Sequence, residues 1–93
     1  MSEEGLKFDT DKPRYDLIPS YPLSQMAYVL TYGAAKYAPD NWRYVDDADK
    51  RYYSALMRHL ESWRQGEKND SETNLPHLAH VLCNVMFLLE LDS

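Results

Sequence analysis

The spacing of apolar residues divides the chain into three helical segments and a preceding segment without a helical period. From about residue 22 to 38, apolar side chains recur every three or four positions, which is the spacing of one helix face. Further stretches of this kind run over about 49–65 and 75–90. The pattern therefore predicts an all-α, three-helix unit. The predicted inward-facing residues of its first two helices are Leu23, Met26, Ala27, Leu30, Ala34, Tyr37, Tyr53, Leu56, Met57, Leu60 and Trp63.

Proline and glycine mark the predicted helix ends. Pro22 and Pro76 suit the first turn of a helix, where the missing N–H has no intrahelical partner. Pro39 ends the first helix, and Gly66 is a natural stop for the second. Gly33 lies inside the first helix, where glycine costs roughly 1 kcal/mol relative to alanine. We interpret Gly33 as a point of close approach for another helix or a ligand.

Residues 1–21 are predicted to form an ordered, non-helical N-terminal arm within a single domain spanning residues 1–93. Prolines at positions 13, 19 and 22 remove backbone donors and favour extended conformations before them. A flexible tail is the alternative, but this segment contains apolar residues that could anchor it, namely Phe8, Tyr15, Leu17 and Ile18.

The third helix is apolar from Leu75 to Leu89 except at His77, His80 and Asn84. These positions are spaced i, i+3 and i+7, so they share one face of the helix. Buried polar groups without partners cost about 1–3 kcal/mol each, so something must satisfy them. Three explanations remain open: a structural network with His59, a metal site, or the wall of a ligand cavity.

A metal site would draw on the histidines and on acids in the polar loop from Glu67 to Thr73. The candidate ligands are His59, Asp70, His77 and His80, and Glu67 is a further nearby acid. Imidazole suits zinc, manganese or iron, whereas magnesium prefers carboxylates and water. The sequence places no paired acids on facing helices, which weakens a simple magnesium hypothesis.

Composition narrows the functional class. A net charge of −5 argues against nonspecific nucleic-acid binding, and no apolar run is long enough to span a bilayer. The single cysteine, Cys83, and an acidic N-terminus in place of a basic secretory signal indicate a cytoplasmic protein. The chain is rich in apolar residues and has eight tyrosines, yet it is short for a stable core. We therefore expect a homo-dimer or homo-tetramer.

Several blocks of the sequence, in order, resemble the phage and bacterial family of dATP/dGTP diphosphohydrolase N-terminal domains. They are Lys7-Phe8-Asp9-x-x-Lys12-Pro13-x-Tyr15-x-Leu17-Ile18-Pro19, Leu30-Thr31-Tyr32-Gly33-Ala34-x-Lys36-Tyr37 with Asn41-Trp42, Arg58-His59-Leu60, Trp63-x-x-Gly66-Glu67, and His77-Leu78-Ala79-His80 with Asn84. That family looks related to the all-α MazG-type nucleotide pyrophosphohydrolases, whose acidic Glu-x-x-Glu and Glu-x-x-Asp pairs hold magnesium. Here His77-x-x-His80 stands where the Glu-x-x-Asp pair is expected.

The resemblance implies a nucleotide-binding protein that cleaves a deoxynucleoside triphosphate to the monophosphate and pyrophosphate, aided by a divalent metal such as Mg, Mn or Zn. It would act in the cytoplasm, which is the host's if the protein is phage-encoded. One alternative is an inactive binder that sequesters a cyclic or signalling nucleotide, as in phage counter-defence. Another is a structural interaction module. The predicted catalytic residues are Glu67 and His80, and the predicted nucleotide contacts are Lys7, Asp9, Lys12, Arg14, Tyr32, Lys36, Asn41, Trp42, Trp63 and Asn84.

Overall fold

The computed structural model describes residues 5–93, and this part of the chain is all-helical, as predicted. Helix α1 spans Ser20–Lys36, α2 spans Ala48–Arg64 and α3 spans His77–Leu91. Short 3-10 turns at Tyr15–Leu17 and Asn41–Tyr44 precede α1 and α2. The first four residues of the predicted arm, with its acidic start, lie outside the described residues. No helix within residues 5–93 has the length and apolar character needed to cross a membrane.

The helix ends follow from local chemistry. Pro22 lies in the first turn of α1, and α1 stops shortly before Pro39. Gly66 follows the end of α2 with a φ of 105°, a left-handed conformation that glycine adopts without a steric cost. The prediction for α3 needs a correction at its start. Pro76 is extended and caps the helix, so the first turn begins at His77 and not two residues earlier.

Helix α3 lies between the other two and packs against both. Among the described residues, the fully buried ones all belong to α3: His77, Ala79, Cys83 and Asn84. Burial raises the pKa of the Cys83 thiol to about 11, which is consistent with an unreactive core cysteine. The central position of α3 explains why it is apolar on nearly every side.

The inward faces of α1 and α2 differ in part from the predicted stripes. In α2, Tyr53 and Trp63 are exposed, while Tyr52 and His59 are turned inward. The reason is that α2 presents His59 to the polar side of α3, and this contact sets the rotation of the helix. In α1 a narrow stripe suffices, because α1 packs mainly against α3. The predicted inward residues that are exposed there are Leu23, Ala27 and Tyr37.

The chain is extended and leaves much apolar surface uncovered. Its radius of gyration is 17.2 Å, whereas a compact domain of this length would have about 12 Å. The arm contributes to this shape, since Phe8 and Tyr15 are each 80% exposed. The predicted anchors of the arm, which also include Leu17 and Ile18, are therefore not buried by this chain. Only two apolar side chains among the described residues are fully buried, which is a small core for three helices.

Gly33 provides a test of this packing. A Cβ atom built at Gly33 would meet no other atom within 4 Å, so no helix of this chain approaches it closely. We therefore expect Gly33→Ala to raise the free energy of unfolding by about 0.5–1 kcal/mol. Gly66→Ala is the matched control, and it should destabilise the protein because of the positive φ at that position. Denaturant unfolding would measure both, and a destabilised Gly33→Ala variant would contradict the open space described here.

Candidate functional site

The polar loop between α2 and α3 is a folded hairpin that carries side chains to the start of α3. The backbone N–H of Asp70 donates to the carbonyl of Leu75 at 2.8 Å, and that of His77 donates to Lys68 at 2.9 Å. An isolated antiparallel bridge joins Asn69 and Pro76 between them. These backbone bonds fix the loop against the first turn of α3. Its acidic side chains therefore lie beside the histidines.

Asp70 closes the tip of the hairpin with one of its two carboxylate oxygens. Its Oδ2 accepts the backbone N–H groups of Glu72 at 3.0 Å and Thr73 at 2.9 Å, and also the Thr73 hydroxyl at 3.2 Å. Such bonds from residues two and three positions ahead are typical of an Asx turn. Three donors saturate Oδ2. Oδ1 is left to face the histidines, and it lies 4.0 Å from His59 Nδ1.

His59 and His77 meet across the α2–α3 interface through their Nδ1 atoms, which are 2.8 Å apart. On its other side, His77 Nε2 lies 2.5 Å from Glu67 Oε1. A carboxylate can only accept, so His77 donates from Nε2 and its Nδ1 carries a lone pair when the ring is neutral. His59 then donates from Nδ1 to His77. Glu67 thus orients His77 in the way that an outer carboxylate orients a metal-binding histidine.

His80 packs beside this pair without joining it. Its ring stacks on that of His59, with centroids 4.3 Å apart and planes 6° from parallel. Its Nε2 lies 2.8 Å from the Thr73 hydroxyl oxygen. Because that hydroxyl donates to Asp70, it accepts from His80, which makes Nδ1 of His80 the acceptor nitrogen. His80 therefore supports Asp70 through Thr73.

The surroundings keep these imidazoles neutral. Burial and the neighbouring His80 lower the pKa of His59 to about 4. Burial also lowers the pKa of His80, against the opposing effect of Asp70. For Asp70, burial acts to raise the pKa, but hydrogen bonds from the Thr73 N–H and hydroxyl outweigh it, and the net shift is downward. Neutral imidazoles and an ionised carboxylate are the forms that bind metal ions.

Three potential ligand atoms converge in this cluster: one from each of His59, Asp70 and His77, all within 4.8 Å of one another. In a tetrahedral zinc site, neighbouring ligand atoms lie roughly 3.3 Å apart, so the two histidines would separate slightly and Asp70 would move closer. Two nitrogens and one oxygen suit zinc or manganese and do not suit magnesium, which favours oxygen alone. The set would leave a coordination position for water or substrate.

The cluster opens into a groove of about 910 Å³ between α1, the first half of α2 and α3. His59, Asp70 and His80 line the groove, whereas His77 lies beneath them with 3% of its surface exposed. Half of the predicted nucleotide contacts line the same groove, namely Tyr32, Lys36, Asn41, Trp42 and Asn84. Trp63 instead lines a second, apolar groove of about 600 Å³. The arm residues Lys7, Asp9, Lys12 and Arg14 are exposed and border neither groove.

Two of the groove residues already have partners within the chain. The Trp42 ring stacks on Phe87 with centroids 4.7 Å apart, and the Arg43 guanidinium lies 4.4 Å from its centroid. The amide of Asn84 donates to the backbone carbonyl of His80, one turn earlier in α3, at 2.8 Å. Trp42 is therefore part of the packing of the groove wall, and Asn84 satisfies its own helix.

Thr73 and Glu72 belong to this site, and they were not among the residues predicted from the sequence. Thr73 joins Asp70 to His80, and Glu72 accepts hydrogen bonds from Tyr32 and Lys36 of α1. A signal for Thr73 was present, because Asp followed by Thr three residues later is common in Asx turns. No spacing rule connects Glu72 to α1, which is 36 residues earlier in the chain.

Comparison with known proteins was made for the whole chain. The sequence model of a family described as "dATP/dGTP diphosphohydrolase, N-terminal" matches residues 2–93. A protein of Salmonella phage PMBT28, named dATP/dGTP diphosphohydrolase, is 33% identical over 84 residues. That alignment covers 90% of this chain but 28% of the phage protein, so the chain spans less than a third of its relative's length. No solved structure gives a significant match.

The neutral histidines predict a loss of stability in mild acid. Since the pKa of folded His59 is about 4 and an unfolded histidine titrates near 6.5, only the unfolded state gains this proton as the pH falls from 6.5 to 5. We expect the metal-free protein to lose about 2 kcal/mol of unfolding free energy by pH 5. Denaturant unfolding in a chelating buffer would measure it. The slope should flatten in His59→Gln, and an equal slope in that variant would contradict the assignment.

Proposed function

Because the chain belongs to the dATP/dGTP diphosphohydrolase N-terminal family, we propose that it forms a metal-dependent site for deoxynucleoside triphosphates. The reaction is hydrolysis to the monophosphate and pyrophosphate. Water attacks the α-phosphorus, the bond from that phosphorus to the oxygen bridging it to the β-phosphorus breaks, and pyrophosphate leaves. A purine deoxynucleotide is the substrate class, on the analogy of the phage relative's name.

The observation that carries this proposal is the convergence of His59, Asp70 and His77 at the floor of the groove. A divalent metal held there would polarise a phosphate oxygen and lower the pKa of bound water. The chain is prepared for such an ion because the three ligands are held from outside. Glu67 orients His77, and the hairpin donors leave one oxygen of Asp70 free. His59 would bind after its ring proton moves from Nδ1 to Nε2.

His80 is the residue that we assign to proton transfer. It lines the groove and is neutral, and its Nδ1 is the acceptor nitrogen because Nε2 is committed to Thr73. A neutral imidazole of this kind can take a proton from the attacking water. We assign Glu67 a positioning role through His77, since its carboxylate is hydrogen-bonded to that ring. On this view, the positions that resemble the Glu-x-x-Asp pair of MazG-type enzymes separate into a ligand, His77, and a base, His80.

A second copy of the chain would complete the nucleotide site and the fold. The arm places Lys7, Asp9, Lys12 and Arg14 away from both grooves of its own chain. Trp63 lines an apolar groove bordered by Leu78 and Leu82, which are also exposed. A homo-dimer or homo-tetramer would cover these surfaces and bring arm residues to a neighbouring site. This assembly is compatible with action in the cytoplasm, where nucleotides are abundant.

Metal binding separates the proposed ligands from their neighbours. We expect Asp70→Asn and His77→Gln to weaken Mn²⁺ or Zn²⁺ binding by at least about tenfold, because each removes a ligand. His80→Gln is the matched control, since His80 stacks on His59 but offers no ligand atom to the cluster. Isothermal titration calorimetry of the purified protein would measure the affinities. Equal losses in all three variants would contradict the assigned ligand set.

Product analysis tests the reaction itself. Incubation with dATP or dGTP and Mn²⁺ should release monophosphate and pyrophosphate in equal amounts, resolved by anion-exchange chromatography. His80→Gln should reduce the rate by about 100-fold or more at unchanged metal affinity, because it removes the proton acceptor. Release of orthophosphate or of intact triphosphate would contradict the proposed bond cleavage. No turnover with Mg²⁺, Mn²⁺ or Zn²⁺ would contradict catalysis by this chain.

A further inference from the structure

Glu72 makes the hydrogen bonds that join the inter-helix loop to α1. Its Oε2 accepts the Lys36 ammonium at 2.7 Å and the Tyr32 hydroxyl at 3.0 Å. Tyr32 and Lys36 are one turn apart on α1, so both donors point at the same oxygen. The pair forms on the wall of the groove, two residues along the chain from Asp70. An ammonium and a hydroxyl that converge on one anionic oxygen form a small anion-binding site.

We propose that Tyr32 and Lys36 bind a phosphate group of the substrate, and that the Glu72 carboxylate is an internal stand-in which this phosphate displaces. This inference rests on the proposed function in taking the groove as the triphosphate site. A phosphate oxygen accepts the same charge-assisted bonds as a carboxylate oxygen and carries more negative charge. The exchange therefore keeps both donors of α1 paired with an anion throughout.

The exchange is favoured by where Glu72 lies. The Lys36 and Glu72 side chains are both about half-exposed, and ion pairs in such positions contribute only about 0–1 kcal/mol. The backbone of Glu72 is held independently, because its N–H donates to Asp70 Oδ2 at 3.0 Å. The side chain can rotate toward solvent without disturbing that turn. Lys36 also lies 5.3 Å from the Tyr37 ring centroid, which helps to keep it on this side of α1.

The anion site and the metal cluster are electrostatically close. The hydrogen bond to Glu72 is the main cause that raises the pKa of Tyr32, and the nearby charge of Asp70 raises it further. The charge of Glu72 in turn acts on His80. A triphosphate could therefore place one phosphate at the cluster and another on Lys36 and Tyr32. Departure of Glu72 would remove one negative charge from the path of the incoming phosphates.

Affinity measurements on paired variants test the displacement. Glu72→Gln should tighten binding of a nonhydrolysable α,β-imido dGTP, and of inorganic triphosphate, by about fivefold or more, because the internal competitor loses its charge. Lys36→Met should weaken both by about tenfold or more, and Tyr32→Phe by less. The matched controls are Glu61→Gln, in an ion pair with Arg64 outside the groove, and Lys68→Met, which borders the other groove. Calorimetry gives the affinities, and circular dichroism checks that each variant is folded.

The outcomes distinguish this inference from the proposed function. If Glu72→Gln weakens triphosphate binding alongside Lys36→Met, Glu72 is part of the binding site and the displacement is overturned. It is equally overturned if neither variant changes the affinity, or if no variant binds triphosphate. An active enzyme with an unresponsive Glu72→Gln variant removes this inference alone. The expected shifts for inorganic triphosphate in a protein without hydrolytic activity would support the anion site and remove the proposed reaction.

Discussion

The site depends on the hydrogen bonding of a single carboxylate. Asp70 uses Oδ2 to accept two backbone N–H groups and a hydroxyl, and this arrangement closes the hairpin between α2 and α3. The same bonds keep the carboxylate ionised and aim Oδ1 at His59. The hairpin in turn brings Glu67 to His77 and Thr73 to His80. Without this turn, α2 and α3 would present three imidazoles to each other with no anion among them.

Polar groups hold the centre of this chain where most small domains use apolar packing. Two of the four fully buried residues among those described are His77 and Asn84. They lie on the helix that both other helices contact, so the apolar surface of α1 and α3 is only partly covered. Every buried side-chain polar atom in the described residues has a hydrogen-bond partner. Satisfying these groups avoids a penalty, but it does not replace the stabilisation that a larger apolar core provides. A chain built in this way gains from covering its exposed helix faces with a second copy.

Much of the architecture could be predicted from spacing alone, whereas the chemistry of the loop could not. Periodicity gave the three helices and the shared face of His77 and His80, because helix geometry is local. The contact between His59 and His77 needed only a packed pair of helices. The roles of Glu67 and Asp70 depend on backbone bonds within a polar loop, which leave no periodic trace. The bond from Glu72 to Lys36 depends on how α1 lies in space, so no feature of either segment indicates it.

The family resemblance was predictable from ordered blocks along the chain, and the family match over residues 2–93 confirms it. It did not specify which atoms face each other. His80 illustrates the difference, since its spacing suggested a ligand equivalent to His77. In the structure, its Nε2 is committed to Thr73, and it reaches Asp70 only through that hydroxyl. The rotation of a ring about its χ angles is decided by neighbours from distant parts of the chain.

The central claim is that His59, Asp70 and His77 hold one divalent ion, and locating the ion by anomalous diffraction tests it most directly. Crystals grown with Mn²⁺ or Zn²⁺ should show an anomalous peak about 2.0–2.2 Å from His59 Nδ1, His77 Nδ1 and Asp70 Oδ1. Glu67 should remain on the far side of His77, and His80 should remain on Thr73. An anomalous peak at other carboxylates, or none at this cluster with the metal in excess, would contradict the account.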